Sequence, residues 1–196
     1  MLDIIKSIEP DVMKKFKKHN NPKSWDDYKG DIKQPIKEYI LENEQFHSCA
    51  YCEVKIEDIH KAHIEHIKPK SKQEFSNLFQ DYDNLIVSCN TAKHCGNAKG
   101  DKYSNLFINP VIDNPEDFLT YNLADGKIIS KNPDPYIVSR VNETIDTLNL
   151  NSKALVNARK HYILELQYYD ENDLDIMLSN HDRFYTLIKC FKQQNF

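Results

Sequence analysis

The stretch HIEHIKPKS at residues 63–71 concentrates side chains suited to acid–base and metal chemistry. It combines two histidines, a glutamate, a proline and two lysines in nine residues. Charged groups pay a large desolvation cost unless they are paired or bound to a metal, so a plain buried strand does not explain this composition. We therefore expect the stretch to form a strand that ends at Pro69 and lies beside a stabilising site.

Four cysteines flank this stretch in two pairs. CAYC at 49–52 is a Cys-x2-Cys pair, and SCNTAKHC at 88–95 adds two more cysteines with five residues between them. The first spacing is typical of tetrahedral zinc, and the second is slightly longer than the usual two to four residues. The metal would replace a missing apolar core in this polar region. The predicted structural zinc ligands are Cys49, Cys52, Cys89 and Cys95.

Two alternatives to zinc remain for these cysteines. One is a redox Cys-x-x-Cys pair, and the other is four unrelated buried cysteines. A redox pair would need a thioredoxin-like βαβ setting, which the polar sequence around CAYC does not offer. The fifth cysteine, Cys190, stands alone in an apolar helical segment and is predicted to be a small core residue.

The alternation of side chains along a strand separates the chemistry of Glu65 from that of His66. Successive side chains point to opposite faces, so one of the two can face a phosphate while the other reaches a metal. His63 shares a face with Glu65 and could approach the metal, but we expect it to be a surface histidine or one that only contacts a ligand. His60 is predicted to lie on the surface.

Several of these elements, taken in order, resemble one known family. The matching segments are Cys49-x2-Cys52, Glu65-His66-Ile67-x-Pro69, Asp83-Asn84-Leu85, Cys89 with Cys95, and Asn97-Ala98-Lys99-Gly100. Together they resemble the HNH endonucleases, which have a ββα-metal fold. IEHIKPKS, DNLIVSCN and HCGNAKGD are more narrowly similar to the PtuB-type HNH nucleases of Septu and retron anti-phage systems. The similarity covers residues 46–103.

The resemblance implies a role for three residues. His66 would be the general base that activates water, and Glu65 would be an acidic ligand of one catalytic Mg²⁺ or Mn²⁺. Asn84 would orient the histidine, because a fixed second hydrogen bond selects the useful tautomer of an imidazole.

The third motif position departs from the family pattern. The family's ligand usually follows the last cysteine directly, but Gly96 stands there in this chain. We expect Asn97 to be the ligand of the catalytic metal, with Asn90 and His94 as alternatives.

The charge distribution predicts how a nucleic acid would be held. The formal net charge is −4, so a polyanionic partner must be bound by a local basic patch. Lys68, Lys70, Lys99 and Lys102 are the predicted phosphate contacts. All three arginines lie outside the motif region, so the usual bidentate reader of guanine is missing and little sequence preference is expected.

These sites predict an α+β protein with a zinc-stabilised ββα-metal HNH core between N- and C-terminal helices. We expect a helical segment at 1–45, the nuclease core at 46–105, and a hairpin with helices at 106–196, packed as one unit. Helices are predicted from residue 10 to about 20, from Ser24 onward, and over 139–169 and 171–193. A β-hairpin is predicted at 118–130 around Asp125-Gly126.

The overall composition is that of an ordinary globular protein. Hydrophobic residues make up 40% and charged residues 29%, and no apolar run is long enough for a membrane span. The start of the chain lacks the pattern of a signal peptide, so a cytoplasmic protein without a membrane partner is expected.

The predicted function is metal-dependent hydrolysis of phosphodiester bonds in nucleic acid, with DNA as the expected substrate, in an anti-phage complex. The resemblance implies an ATPase partner of the PtuA type, together with a retron in some systems. A non-catalytic zinc module that binds protein or nucleic acid and an RNA-directed nuclease are the alternatives.

Overall fold

The computed structural model describes the whole chain, Met1–Phe196. Seven α-helices surround two small sheets. The helices are α1 Asp11–Asn20, α2 Gly30–Asn43, α3 Gly96–Lys99, α4 Pro135–Leu148, α5 Lys153–Leu166, α6 Glu171–Ser179 and α7 Tyr185–Asn195. The strands are β1 Ala62–His66, β2 Leu85–Cys89, β3 Leu119–Asn122 and β4 Lys127–Ser130.

A two-stranded antiparallel sheet followed by a short helix lies at the centre of the chain. β1 pairs with β2 so that His63 lies opposite Ser88 and Glu65 lies opposite Ile86. Every residue of β2 is buried, and α3 begins shortly after β2 ends. The HIEH residues therefore lie on the first strand of a ββα unit, and the predicted α+β fold with its flanking helices is confirmed.

The prediction of one continuous helix from Ser24 is wrong. The Ser24 hydroxyl accepts the amide of Asp26, and the Asp27 carboxylate accepts the amide of Ser24, which closes a separate 3₁₀ turn at Trp25–Asp27. Tyr28 is extended, so α2 begins only at Gly30. Ser24 and Asp27 do form a capping box, but it caps this 3₁₀ turn and not α2. The turn places Trp25 beside His66 of β1.

The two helices predicted near the C-terminus are four. Asn149 ends α4 in the left-handed conformation, with φ 49°, and its side-chain amide donates to the carbonyl oxygen of Lys93 at 2.7 Å. Phe184 precedes α7 with φ 56°. The helical periodicity continues across these breaks, but contacts with distant residues set where the chain turns. The hairpin of β3 and β4 forms as predicted.

The flanking segments are hydrogen-bonded to the central unit. The side-chain amide of Gln45, just after α2, donates to the Val87 carbonyl at 2.9 Å, and its oxygen accepts the Val87 amide at 2.7 Å. The carbonyl of Leu148, at the end of α4, accepts the Cys95 amide at 2.8 Å. Helices on both sides thus fix the ends of the ββα unit. None of the helices is both long and apolar enough to cross a membrane.

Candidate active site

The four predicted zinc ligands meet in one buried cluster. The sulfur atoms of Cys49, Cys52, Cys89 and Cys95 all lie within 4.8 Å of one another. None of them forms a disulfide. Sulfurs at the corners of a tetrahedron with Zn–S bonds of about 2.3 Å would be about 3.8 Å apart, and the sulfurs of Cys52 and Cys89 are separated by 3.9 Å. The cluster fits a metal ion, whereas Cys190 lies apart on α7.

Neighbouring groups shift the pKa values of these thiols in opposite directions: a hydrogen bond with Cys49 raises the pKa of Cys52, and burial raises that of Cys95. Hydrogen bonds from the neighbouring thiols, first that of Cys49, hold the pKa of the Cys89 thiol far below its usual range. Nδ1 of His94 lies 3.1 Å from the sulfur of Cys95. The structure therefore places His94 against the thiol cluster and not beside Glu65, so it is not positioned to serve as a ligand of a metal held by Glu65.

His66 is held from both sides at the end of β1. Its Nε2 lies 3.0 Å from the carbonyl oxygen of Phe79, and the edge of its ring meets Trp25 with ring centroids 4.8 Å apart. A carbonyl oxygen only accepts, so Nε2 carries the proton and Nδ1 keeps its lone pair in the neutral ring. Burial lowers the pKa of His66 to about 4, which keeps the imidazole neutral near pH 7.

Glu65 lies between a buried lysine and a histidine. Nζ of Lys99 donates to Oε1 of Glu65 at 2.8 Å, and the Lys99 side chain is fully buried. Oε2 of Glu65 lies 3.2 Å from Nε2 of His63. The lysine therefore fixes one carboxylate oxygen and leaves the other directed at the imidazole.

Asn84 braces the long connection between β1 and β2. Its side-chain oxygen accepts the Lys68 amide at 2.8 Å, and its nitrogen donates to the carbonyls of Lys68 at 3.0 Å and Leu78 at 3.3 Å. Leu78 directly precedes Phe79, whose carbonyl holds the ring of His66. Asn84 thus contacts the backbone that positions His66, without touching the imidazole itself.

A third hydrogen-bonded pair lies on the opposite end of β1. Nδ1 of His63 lies 2.7 Å from the side-chain oxygen of Asn90, whose nitrogen donates to the His60 carbonyl at 3.0 Å. Burial opposes a charge on His63, but the hydrogen bonds with Glu65 and Asn90 outweigh it and raise the pKa of this histidine above its ordinary value.

Comparison with known proteins identifies the region that holds these groups. Residues 49–102 match the family model of the HNH endonucleases. The match spans the thiol cluster, the two strands and α3, so the resemblance seen in the sequence is confirmed for this region, hereafter the HNH region. The chain is also 26% identical to "Retron Ec83 putative HNH endonuclease" of Escherichia coli over 202 aligned residues, which cover 82% of this chain and 78% of that protein.

An open cleft beside the HNH region exposes the proposed catalytic groups together. It has a volume of about 270 Å³, and its lining includes His63, Glu65, His66, Lys70, Asn97 and Asp101. Trp25 forms part of its wall. A second cleft of about 410 Å³ shares Trp25 and His63 and adds two lysines, Lys33 and Lys37. The groups that could act on a phosphate therefore line one cleft, and a second cleft shares Trp25 and His63 with it.

Neither Asn97 nor Asn90 is hydrogen-bonded to Glu65. Asn97 is exposed on α3, and its side chain donates to the Thr91 carbonyl at 3.3 Å. It lines the cleft but makes no hydrogen bond with Glu65. Asn90 reaches His63 and not the carboxylate.

The predicted lysine contacts also differ in their environments. Lys70 is exposed in the cleft and Lys102 is exposed next to α3, while Lys68 is half-buried with its ammonium 5.8 Å from the centre of the Phe75 ring. Lys99 is buried against Glu65, so the expectation that it contacts a nucleic acid does not fit its position.

Sequence reasoning overlooked Trp25, Phe79 and the pairing of His63 with Asn90. Trp25 belongs to a helix-spaced apolar stripe, which correctly indicates burial but not the contact with His66. Phe79 contributes only its backbone carbonyl, which no residue type can signal. The alternation of His63 and Glu65 along β1 is the one sequence signal that could have placed His63 beside Glu65.

Proposed function

We propose that this chain is a metal-dependent HNH endonuclease that hydrolyses phosphodiester bonds in nucleic acid, with DNA as its substrate. The observation that carries the proposal is the pair at the end of β1. His66 presents an unprotonated Nδ1, and Glu65 presents a carboxylate oxygen, on the same cleft of a region that matches this family.

His66 is suited to be the general base. Its ring is neutral, its proton is held on Nε2 by the Phe79 carbonyl, and Nδ1 makes no hydrogen bond within the protein. A water molecule in the cleft can therefore give its proton to Nδ1 as its oxygen attacks the phosphorus. Trp25 restricts the rotation of the ring and so keeps Nδ1 aimed.

Glu65 is suited to hold the catalytic cation. Its Oε2 is left free by Lys99, and carboxylate oxygens are the preferred ligands of Mg²⁺ and Mn²⁺. When bound, such an ion supplies positive charge that stabilises the crowded phosphate and the leaving oxygen. Lys99 fixes the carboxylate, so that its orientation does not depend on the substrate.

Zinc is the proposed occupant of the thiol cluster. The four buried sulfurs come from the CAYC turn, the end of β2 and the start of α3, and they match the ligand set of a closed structural site. The ion would join the elements that position Glu65 and His66. Free thiols in a metal site also suit the reducing cytoplasm, which is the proposed location.

The substrate is proposed to be held by its backbone with little sequence preference. Lys70 in the cleft, with Lys68 and Lys102 near it, supplies positive charge for phosphates. The arginines are engaged elsewhere: Arg140 pairs with Asp113, Arg183 pairs with Glu165, and Arg159 is buried. No guanidinium is therefore available in the cleft to read guanine.

A partner is proposed to control this activity. The similar Escherichia coli protein carries the word retron in its name, and the narrower resemblance implies an ATPase of the PtuA type in an anti-phage complex. The C-terminal segment exposes Leu164 on α5, Tyr168 in the turn after it and Ile176 on α6, which could contact such a partner. Purification of the tagged chain from its host operon, with and without phage infection, tests whether the ATPase accompanies it.

Plasmid nicking tests the nuclease function. The zinc-loaded chain is incubated with supercoiled DNA and Mg²⁺ or Mn²⁺, and compared with His66→Ala, Glu65→Gln and the surface control His161→Ala. Removal of a general base lowers rates by about 10²–10⁴-fold, so His66→Ala should be nearly inactive and His161→Ala should match the wild type. Cleavage by His66→Ala at the wild-type rate would exclude the proposed mechanism. A parallel assay with single-stranded and duplex RNA identifies an RNA-directed enzyme.

A further inference from the structure

We propose that His63 is a second protein ligand of the catalytic divalent cation, beside Glu65 on β1. The inference rests on the proposed nuclease function and concerns the same cleft. Its basis is the space around Gly96, the orientation of the His63 ring and the distance between His63 and Glu65.

The imidazole of His63 occupies the space that a side chain at position 96 would need. A Cβ atom built on Gly96 would lie 2.6 Å from Nε2 of His63 and 2.9 Å from Oε2 of Glu65. The backbone of Gly96 is not in the left-handed region, so its conformation does not require glycine. Glycine is needed there because β1 and α3 approach closely, with the histidine between them. The ring of His63 and the carboxylate of Glu65 therefore fill the space over the start of α3.

Asn90 fixes the His63 ring so that its lone pair faces Glu65. The nitrogen of Asn90 donates to a carbonyl, which leaves its oxygen to accept the proton on Nδ1 of His63. In the neutral ring the lone pair is then on Nε2, 3.2 Å from Oε2 of Glu65. Histidines that bind metals commonly donate their other ring N–H to an oxygen in this way.

Two acceptors that face each other need a positive charge between or on them. A lone pair on Nε2 and a carboxylate oxygen repel, unless the ring takes up a proton or both atoms bind one cation. Neighbouring ligands of an octahedral Mg²⁺ or Mn²⁺ with bonds of about 2.1 Å lie about 3.0 Å apart. The observed 3.2 Å fits a shared cation with only a small adjustment.

Asn97 lacks these features. It is exposed, and its only side-chain hydrogen bond runs to the carbonyl of Thr91 at 3.3 Å. No neighbouring group aims its oxygen at Glu65. It therefore serves as the matched control for the ligand assignment.

Titration calorimetry with MnCl₂ on the zinc-loaded chain tests the assignment without reference to activity. His63→Ala should weaken Mn²⁺ binding at least tenfold, and Asn90→Ala should weaken it by about 10- to 100-fold because the ring loses its anchor. Asn97→Ala should bind Mn²⁺ within twofold of the wild type. Zinc content and melting temperature confirm that each variant is folded, as expected for a histidine whose side chain is 30% exposed.

A ligand swap sharpens the result. Gly96→His alone should impair Mn²⁺ binding, because its Cβ meets the ring of His63. In the double variant His63→Ala with Gly96→His the same imidazole is moved from β1 to α3. Binding should recover part of the loss, because the new Cβ still lies 2.9 Å from Oε2 of Glu65. Mn²⁺ affinity that is unchanged in His63→Ala but lost in Asn97→Ala would overturn the assignment while the nuclease proposal stands. A wild-type chain that neither binds Mn²⁺ nor cleaves would overturn both.

Discussion

At the scale of single residues, the site depends on how each polar atom is paired. His66 donates one ring N–H to a carbonyl and keeps the other nitrogen free. Glu65 accepts from Lys99 with one oxygen, and its other oxygen faces His63 at 3.2 Å. Both side chains line the same cleft.

Lys99 is predicted to stabilise the fold rather than to bind a nucleic acid. Lys99→Met leaves the carboxylate of Glu65 and the His66 carbonyl without their buried donor, and breaking such a pair should lower the free energy of unfolding by about 3 kcal/mol. Urea denaturation measures the change. Lys102→Met, the exposed control, should stay within about 0.5 kcal/mol of the wild type. Wild-type stability in Lys99→Met with weaker DNA binding would contradict this role.

At the scale of elements, the connection from Ile67 to Asn84 acts as part of the site. It carries the Phe79 carbonyl that holds His66, and it is itself held by the side chain of Asn84. A connection that contains two 3₁₀ segments, Gln73–Gln80 and Tyr82–Asn84, thus sets the tautomer of a residue on a strand.

Asn84→Ala should loosen this connection. Three hydrogen bonds are lost, two of them to backbone carbonyls, and the expected loss in the free energy of unfolding is about 1–3 kcal/mol. Nicking should fall more than stability alone explains, because His66 loses a fixed acceptor. Asn43→Ala, on the exposed face of α2, is the control and should change neither quantity. Full nicking activity in folded Asn84→Ala would argue against a positioning role.

The thiol cluster is predicted to hold the ββα elements together. Metal analysis should find one zinc per chain, and removal of the ion by a chelator should unfold the HNH region, because a structural zinc contributes directly to folding. Cys49→Ser should bind little zinc and lose its cooperative thermal transition in circular dichroism. Cys190→Ser, a buried cysteine outside the cluster, should keep the zinc. A cooperative transition that survives complete zinc removal would show that the apolar core suffices.

At the scale of the whole molecule, the negative net charge opposes the binding of a polyanion, whereas the lysines near the cleft favour it. A chain of formal charge −4 repels a polyanion at long range, so binding must come from the lysines near the cleft. The affinity should be modest and should fall steeply as salt is added.

Lys70→Ala is predicted to weaken binding equally for different DNA sequences. Its loss should reduce the slope of log affinity against log salt by about one, since about one phosphate contact disappears. Fluorescence anisotropy with duplexes of unrelated sequence measures both effects. Lys153→Ala, exposed on α5 and outside the cleft, should leave the slope unchanged. A change confined to one DNA sequence would point to base reading instead.

The sequence by itself determined which chemical groups this protein has and in what order they follow along the chain. The spacing of the cysteines predicted the thiol cluster, and the order of the motifs implied a ββα unit through the resemblance to the HNH endonucleases. These signals are local, because strand alternation and ligand spacing follow from a few neighbouring residues. The fold class and the family resemblance could be predicted for the same reason.

The tertiary structure alone decided which of those groups contact one another. In the folded chain α4 ends at Asn149, whose side chain contacts Lys93. Lys99 is buried against Glu65. The ring of His63 occupies the space next to Gly96. Each outcome depends on a partner far away in the sequence or on a backbone atom. Such partners leave no periodicity or residue type to recognise, because packing brings them together only when the chain has folded.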